Sequence, residues 1–190
     1  MHLVNALGAL AIILLLGMVL MRTAILRRRG VAAAKFGRTN KSDFLIPPFV
    51  LFYVYLIFAA AFHWPTVVRG TLFTSPAAAW LGIALCAVAL AFMFRALVSF
   101  GTSFRIGIDA QKPDALVTTG AFGRTRNPIY VAFALMLVGQ FLILPNWILA
   151  VYLVAGFALF HRQVLREEAF LAAHYGDAYR AYRARVPRYL

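Results

Sequence analysis

Long apolar runs alternate with short basic segments along the chain, and that alternation predicts the architecture. Residues 3–21, 44–64 and 77–98 are almost unbroken runs of Leu, Ile, Val, Phe and Ala, each near the ~20 residues a helix needs to cross ~30 Å of hydrocarbon. Two shorter apolar stretches, 129–144 and 147–160, flank Pro145-Asn146. At a rise of about 1.5 Å per residue they reach only about 21 to 24 Å, and they read as a short spanning hairpin. The pattern thus predicts an all-α integral membrane protein of about five transmembrane helices, the last two a hairpin, followed by a cytoplasmic helical tail.

Between the third and fourth runs the pattern is mixed. Residues 101–109 place glycines and charges among apolar residues, and Lys112-Pro113-Asp114 reads as a turn, so this segment is expected at the membrane interface. Pro128 suits the first turn of the fourth helix, where its missing N–H has no helical partner, with Asn127 as the expected N-cap. From Arg162 the tail is helical in pattern up to Pro187, with a break at Gly176. Tyr175, Tyr179 and Tyr182 form one stripe, expected to pack on protein or membrane. No repeat or linker divides the chain, which reads as a single membrane domain, 1–190.

Composition and charge sharpen this picture. With 63% hydrophobic residues and a mean hydropathy of +0.81, the 190-residue chain has more apolar surface than one soluble core can hide. The net charge of +13 resides in loops rather than on one soluble face, which argues against nucleic acid. Arg22, Arg27, Arg28, Arg29, Lys35, Arg38 and Lys41 follow the first run, whereas the next loop holds only Arg69. Arg95, Arg105, Lys112, Arg124 and Arg126 border the third loop, the Pro145-Asn146 turn has no charge, and six arginines occupy the tail. The positive-inside rule then puts the N-terminus outside and both polar C-terminal segments in the cytoplasm, with five crossings. The first residues lack the basic start of a secretory signal, so the first run is read as a retained helix. His63 and Trp64 are expected as interfacial anchors, and Arg27–Arg29 as a topology signal that meets lipid headgroups. A single cysteine, Cys86, excludes a disulfide or cysteine-based metal site, and no metal is expected.

Nucleotide-binding loops, nucleophile elbows and zinc-helix motifs are absent from the sequence. The remaining chemistry is on the cytoplasmic side: Arg126 and Asn127 at the hairpin mouth, then His161, Arg162, Arg166, Glu167 and Glu168. By composition these also suit a solvated helix start. On one continuous helix His161, Glu168 and Tyr175 share a face, whereas Arg162 and Glu167 stand about 140° apart. A site using both needs long side chains or a break near Val164.

Order and spacing narrow the choice. LVTTGAFGRTRNPIY from Leu116, an apolar hairpin, and HRQVLREEAFLAAHYGDAYRAYRARVP from His161 resemble the C-terminal half of isoprenylcysteine carboxyl methyltransferases and their bacterial relatives, and GTSFRIGID before them resembles the bacterial branch. The resemblance covers residues 101–187. It implies a membrane methyltransferase, as in a bacterial inner membrane, with 1–98 as three N-terminal helices and 99–190 as the cofactor-binding and catalytic part. It implies S-adenosyl-L-methionine as cofactor and a lipophilic acceptor entering from the bilayer, most simply the carboxylate of a prenylcysteine-like molecule. Carried over by position, Leu116, Val117, Thr119, Gly120, Arg126, Asn127, Pro128 and Tyr130 line the cofactor pocket, with Glu168 and Tyr175 as additions. Arg162 and Glu167 match the arginine and glutamate assigned to catalysis and substrate positioning. Asn127 departs from the histidine usual in eukaryotic members, which touches the detailed cofactor contacts. Methylation of a phospholipid or small amine, a sterol-type reductase using a reduced nicotinamide, and a non-catalytic membrane subunit are the alternatives. The oligomeric state stays open.

Overall fold

The computed structural model of the protein describes residues 2–28, 46–68, 70–100 and 116–190. Five helices run through them: α1 (His2–Arg28), α2 (Ile46–Phe62), α3 (Pro76–Phe100), α4 (Pro128–Ile143) and α5 (Trp147–Arg185), with a 3-10 turn at Gly120–Gly123 before α4. All regular structure among the described residues is helical, and the chain is an all-α integral membrane protein. The helices α1, α3 and α5 are long and apolar enough to cross a membrane, and α2 and α4 are shorter apolar helices. The 101–109 segment and the 112–114 turn lie outside the described residues.

Small residues bring the helices together. With no hydrophobic drive between helices in lipid, close backbone approach gives the packing, and α3 and α4 have the most extensive contact. A Cβ at Gly139 would stand 2.7 Å from both the Gly82 carbonyl oxygen and Cys86 Sγ, so these backbones touch. Around that crossing Ala9, Ile12, Leu56, Cys86, Ala89, Met93, Ala132 and Met136 form the buried centre. Gln140, fully buried on α4, donates through Nε2 to the Gly8 carbonyl at 2.7 Å and ties in α1. The outer surface is apolar as well: Leu14, Leu51, Trp80, Phe94 and Val154 are exposed, as lipid contact requires.

Two helix boundaries differ from the sequence pattern. The first helix continues seven residues past Met21, because the Arg22–Arg28 stretch has no glycine or proline to stop it. Likewise α5 does not end with its apolar run at Phe160 but continues into the tail, and the break near Val164 is absent. Nothing between Phe160 and Tyr175 opposes a helix, and Val164 is fully buried. The interruption falls at Gly176 (φ 52, ψ −120), a left-handed φ that glycine adopts without steric cost. At the start of α5 the Asn146 side chain accepts from the Leu149 N–H at 3.0 Å and caps the helix. Asn127 occupies the corresponding position of α4 but makes no side-chain cap, since its amide is drawn to other partners. Beyond α2, His63 Nε2 lies 3.0 Å from His2 Nδ1, and Trp64 sits among Tyr55, Phe58 and Phe62.

Candidate active site

The turn that leads into α4 is fastened from both sides. Gly120 has φ +64, and a Cβ there would collide with Ser99 of α3. Ser99 Oγ accepts from the Ala121 N–H at 2.9 Å and donates to the Arg95 carbonyl at 2.7 Å. Tyr182 Oη donates to the Phe122 carbonyl at 2.7 Å, so the tail grips the turn from the other side. Tyr182 and Tyr179 are buried with Val186, and Leu116, Leu171 and Tyr175 pack against them, so the tyrosine stripe faces protein.

After the turn the chain meets the C-terminal segment. Arg126 donates from its backbone N–H to the Pro187 carbonyl at 2.9 Å, and from Nη1 to the carbonyls of Val186 and Arg183 at 2.6 and 3.2 Å. Thr125 Oγ1 and Asn127 Nδ2 donate to the Arg188 carbonyl at 3.0 and 3.1 Å. Glu168, on α5, is the hub. Its Oε1 accepts from Arg126 Nε and Nη2 at 3.1 and 3.0 Å and from Asn127 Nδ2 at 3.2 Å. Its Oε2 accepts from Arg188 Nε and Nη2 at 3.1 and 2.9 Å. Burial alone would raise this carboxyl, but hydrogen bonds from Arg188 and Arg126, together with their charges, outweigh it and hold Glu168 below the usual carboxylate range. Glu168 is therefore an ionised acceptor whose lone pairs are occupied, suited to holding the site together and unsuited to proton transfer.

Glu167 has a different environment, because neighbouring residues on a helix point about 100° apart. Its Oε1 accepts from Tyr130 Oη at 2.6 Å and from Gln163 Nε2 at 3.0 Å, while Oε2 has no hydrogen-bond partner among the described residues. Burial raises this carboxyl above its ordinary value, opposed by the hydrogen bonds from Tyr130 and Gln163. The rings of Tyr130 and Phe133 flank Phe160, so Glu167 stands where the polar mouth of the α4–α5 hairpin meets its apolar wall.

The structure brings many of the sequence candidates together. Arg126, Asn127 and Glu168 form one hydrogen-bonded cluster, Tyr130 and Glu167 a second, and Leu116 and Tyr175, far apart in sequence, share an apolar shelf. Val117 is half-buried beside that shelf, Thr119 and Gly120 are exposed on the turn, and Pro128 is fully buried as the first residue of α4. Arg162 is not brought in. It is exposed, makes no polar contact among the described residues, and keeps the wide separation from Glu167 that a continuous helix imposes. The residue beside Glu167 is Gln163, one turn earlier on the same face, an i, i+4 relation readable from sequence. Arg188 was also missed, and no local signal marks it.

Over 95 residues the chain is 32% identical to "Protein-S-isoprenylcysteine O-methyltransferase" of Schizosaccharomyces pombe, a stretch of 48% of this chain and 40% of that protein. The chain thus spans less than half the length of this curated relative. The family model described as "Phospholipid methyltransferase" matches residues 77–178, from the start of α3 to just past the Gly176 break, and so takes in Arg126, Asn127, Tyr130, Glu167 and Glu168 but not Arg188. With more than half of its 190 residues matched in this way, the chain belongs to the phospholipid methyltransferase family.

Proposed function

We propose that the protein is an S-adenosyl-L-methionine-dependent methyltransferase acting on the carboxylate of a lipophilic, prenylcysteine-like acceptor that enters from the bilayer. The observation that carries this reading is the siting of two prearranged polar clusters at the mouth of an apolar membrane hairpin, within the stretch matched to the family. The residues there suit such a cofactor. Leu116 and Tyr175 offer an apolar shelf for a flat ring, the turn at Val117, Thr119 and Gly120 offers backbone polar groups, and the Glu167 oxygen that has no partner among the described residues can accept from an ammonium. When bound, S-adenosyl-L-methionine supplies a methyl group on a positively charged sulfur. A carboxylate acceptor is already nucleophilic, so the protein's task is alignment and exclusion of water rather than proton removal. Tyr130 and Gln163 fix the Glu167 rotamer, while Arg126, Asn127 and Glu168 hold the start of α4 against α5. The basic loops support five crossings with the N-terminus outside and this mouth in the cytoplasm.

A second reading, methylation of a phospholipid or small amine, draws on Glu167: an amine must shed a proton, and a half-buried carboxyl with a raised pKa and one oxygen unbonded among the described residues is a candidate base. Transfer of a labelled methyl group by the detergent-purified protein separates the two. A prenylcysteine acceptor should yield an ester that releases methanol in alkali, whereas phosphatidylethanolamine would yield an alkali-stable N-methyl product. Folded protein that neither binds S-adenosylhomocysteine nor labels either acceptor would refute both.

A further inference from the structure

The cluster around Glu168 is unbalanced in charge. Two guanidinium groups, Arg126 and Arg188, share one carboxylate. The other described side-chain carboxylates are engaged elsewhere, Glu167 with Tyr130 and Gln163 and Asp177 with Arg180. Among the described side chains one positive charge is therefore in surplus, and its burial is uneven. The Arg126 side chain is 7% exposed, and its guanidinium is occupied by Glu168 and two carbonyls, whereas that of Arg188 is 32% exposed. Arg188 uses Nε and Nη2 on Glu168, and its Nη1 edge makes no hydrogen bond among the described residues. A guanidinium carries five N–H donors in a planar fork, so unused donors remain on a group that is already oriented. Glu168 holds its inner edge, while Thr125 and Asn127 hold its backbone carbonyl. Such preorganisation removes most of the ordering cost of binding an anion.

We infer that the free edge of Arg188 is the carboxylate anchor of this site. The inference rests on the methyltransferase reading. The acid it takes belongs to the acceptor or to the methionine part of the cofactor, and in either case the ligand cancels the surplus charge. Arg162 is exposed and lies on a different face of α5 from Glu167, and Gln163 carries no charge.

Direct binding to the full-length protein tests this with two matched pairs of probes: N-acetyl-S-farnesylcysteine against its methyl ester, and S-adenosylhomocysteine against its decarboxylated analogue. In wild-type protein the acid of one pair should bind more tightly than its neutral partner, by about 10- to 100-fold for a charged two-pronged contact. Arg188→Gln should bring that ratio close to one, and Arg188→Lys, which keeps the charge but loses the fork, should restore part of it. Whichever pair responds identifies the source of the acid. A purely structural role predicts that Arg188→Gln weakens the acid and its neutral partner alike and leaves their ratio near the wild-type value, whereas an anchor predicts that the loss falls on the acid alone. Glu168→Gln keeps the charge of Arg188 but removes the carboxylate that orients it, so it should lower the ratio less than Arg188→Gln does. If Arg188→Gln retains the wild-type ratio, the anchor is refuted while the methyltransferase reading stands. Wild-type protein that binds none of the probes refutes both.

Discussion

Replacing Glu168 by alanine removes the acceptor for five hydrogen bonds and leaves a guanidinium, that of Arg126, buried without a counterion. Breaking a buried ion pair from one side costs about 3–5 kcal/mol, because the remaining charge has lost its solvent and its partner. Arg126 keeps its two carbonyl contacts and Arg188 can turn to water, so the lower end applies, about 3 kcal/mol. For a chain of this size each kcal/mol moves Tm by about 2–4 °C, giving a fall of about 6–12 °C. Arg188→Ala should cost only about 1 kcal/mol, since Glu168 keeps Arg126 and Asn127 and the lost pair is partly exposed. The single cysteine supplies the assay: Cys86 is 1% exposed, so a thiol-reactive fluorogenic dye reports unfolding of the bundle. Acid gives a second readout. A carboxyl held below its ordinary value contributes stability that is present above the unfolded pKa and lost as pH falls through the folded one. Wild-type Tm should therefore drop as pH falls below the ordinary glutamate value of 4.5, and this drop should be shallower in Glu168→Ala. Equal, small shifts in Glu168→Ala and Arg188→Ala, with the acid limb unchanged, would refute the hub.

Three further perturbations test other parts of the structure. Gly139→Ala forces a Cβ within 2.7 Å of the Gly82 carbonyl and Cys86 Sγ, and should lower Tm by on the order of 10 °C, while Gly17→Ala, with nothing within 4 Å, should leave it unchanged in the same dye assay. Tyr130→Phe removes a hydrogen bond that holds the Glu167 carboxyl down. The limb of the pH–rate profile that Glu167 controls should move to higher pH, and an unmoved limb would place Glu167 outside the reaction. In steady-state methyl transfer, Arg162→Ala should stay within about twofold of wild type, whereas Glu167→Gln should lose about tenfold or more. The reverse order would mean that α5 rearranges during turnover.

Hydropathy is a local quantity, which is why the membrane helices were legible in the sequence to within a few residues. Their ends were less so, because polarity and helix propensity are separate signals. Phe160 ends an apolar run, but the Arg, Gln, Leu, Glu and Ala residues after it are good helix formers, and α5 continues through the boundary. That continuity keeps Arg162 and Glu167 on different faces of α5, so a site using both has to rely on long side chains reaching around the helix. The clusters at the mouth of α4 were legible through the resemblance to known sequences and not through composition, where paired acids and arginines read equally well as a solvated helix start.

Arg188 was legible through neither route, for a geometric reason. Its partner, Glu168, lies 20 residues back along the chain, and on an uninterrupted helix the two would be about 30 Å apart. The break at Gly176 and the extended backbone at Val186 (φ −122, ψ 128) reverse the chain, and they bring Arg188 Nη2 within 2.9 Å of the carboxylate. Each of those turns carries a weak sequence mark, a glycine and the following proline at 187, but neither mark says which earlier residue the chain returns to. That choice is made by the buried carboxylate. Already committed to Arg126, Glu168 still has one oxygen to satisfy, and the arginine that the returning segment brings to it is Arg188.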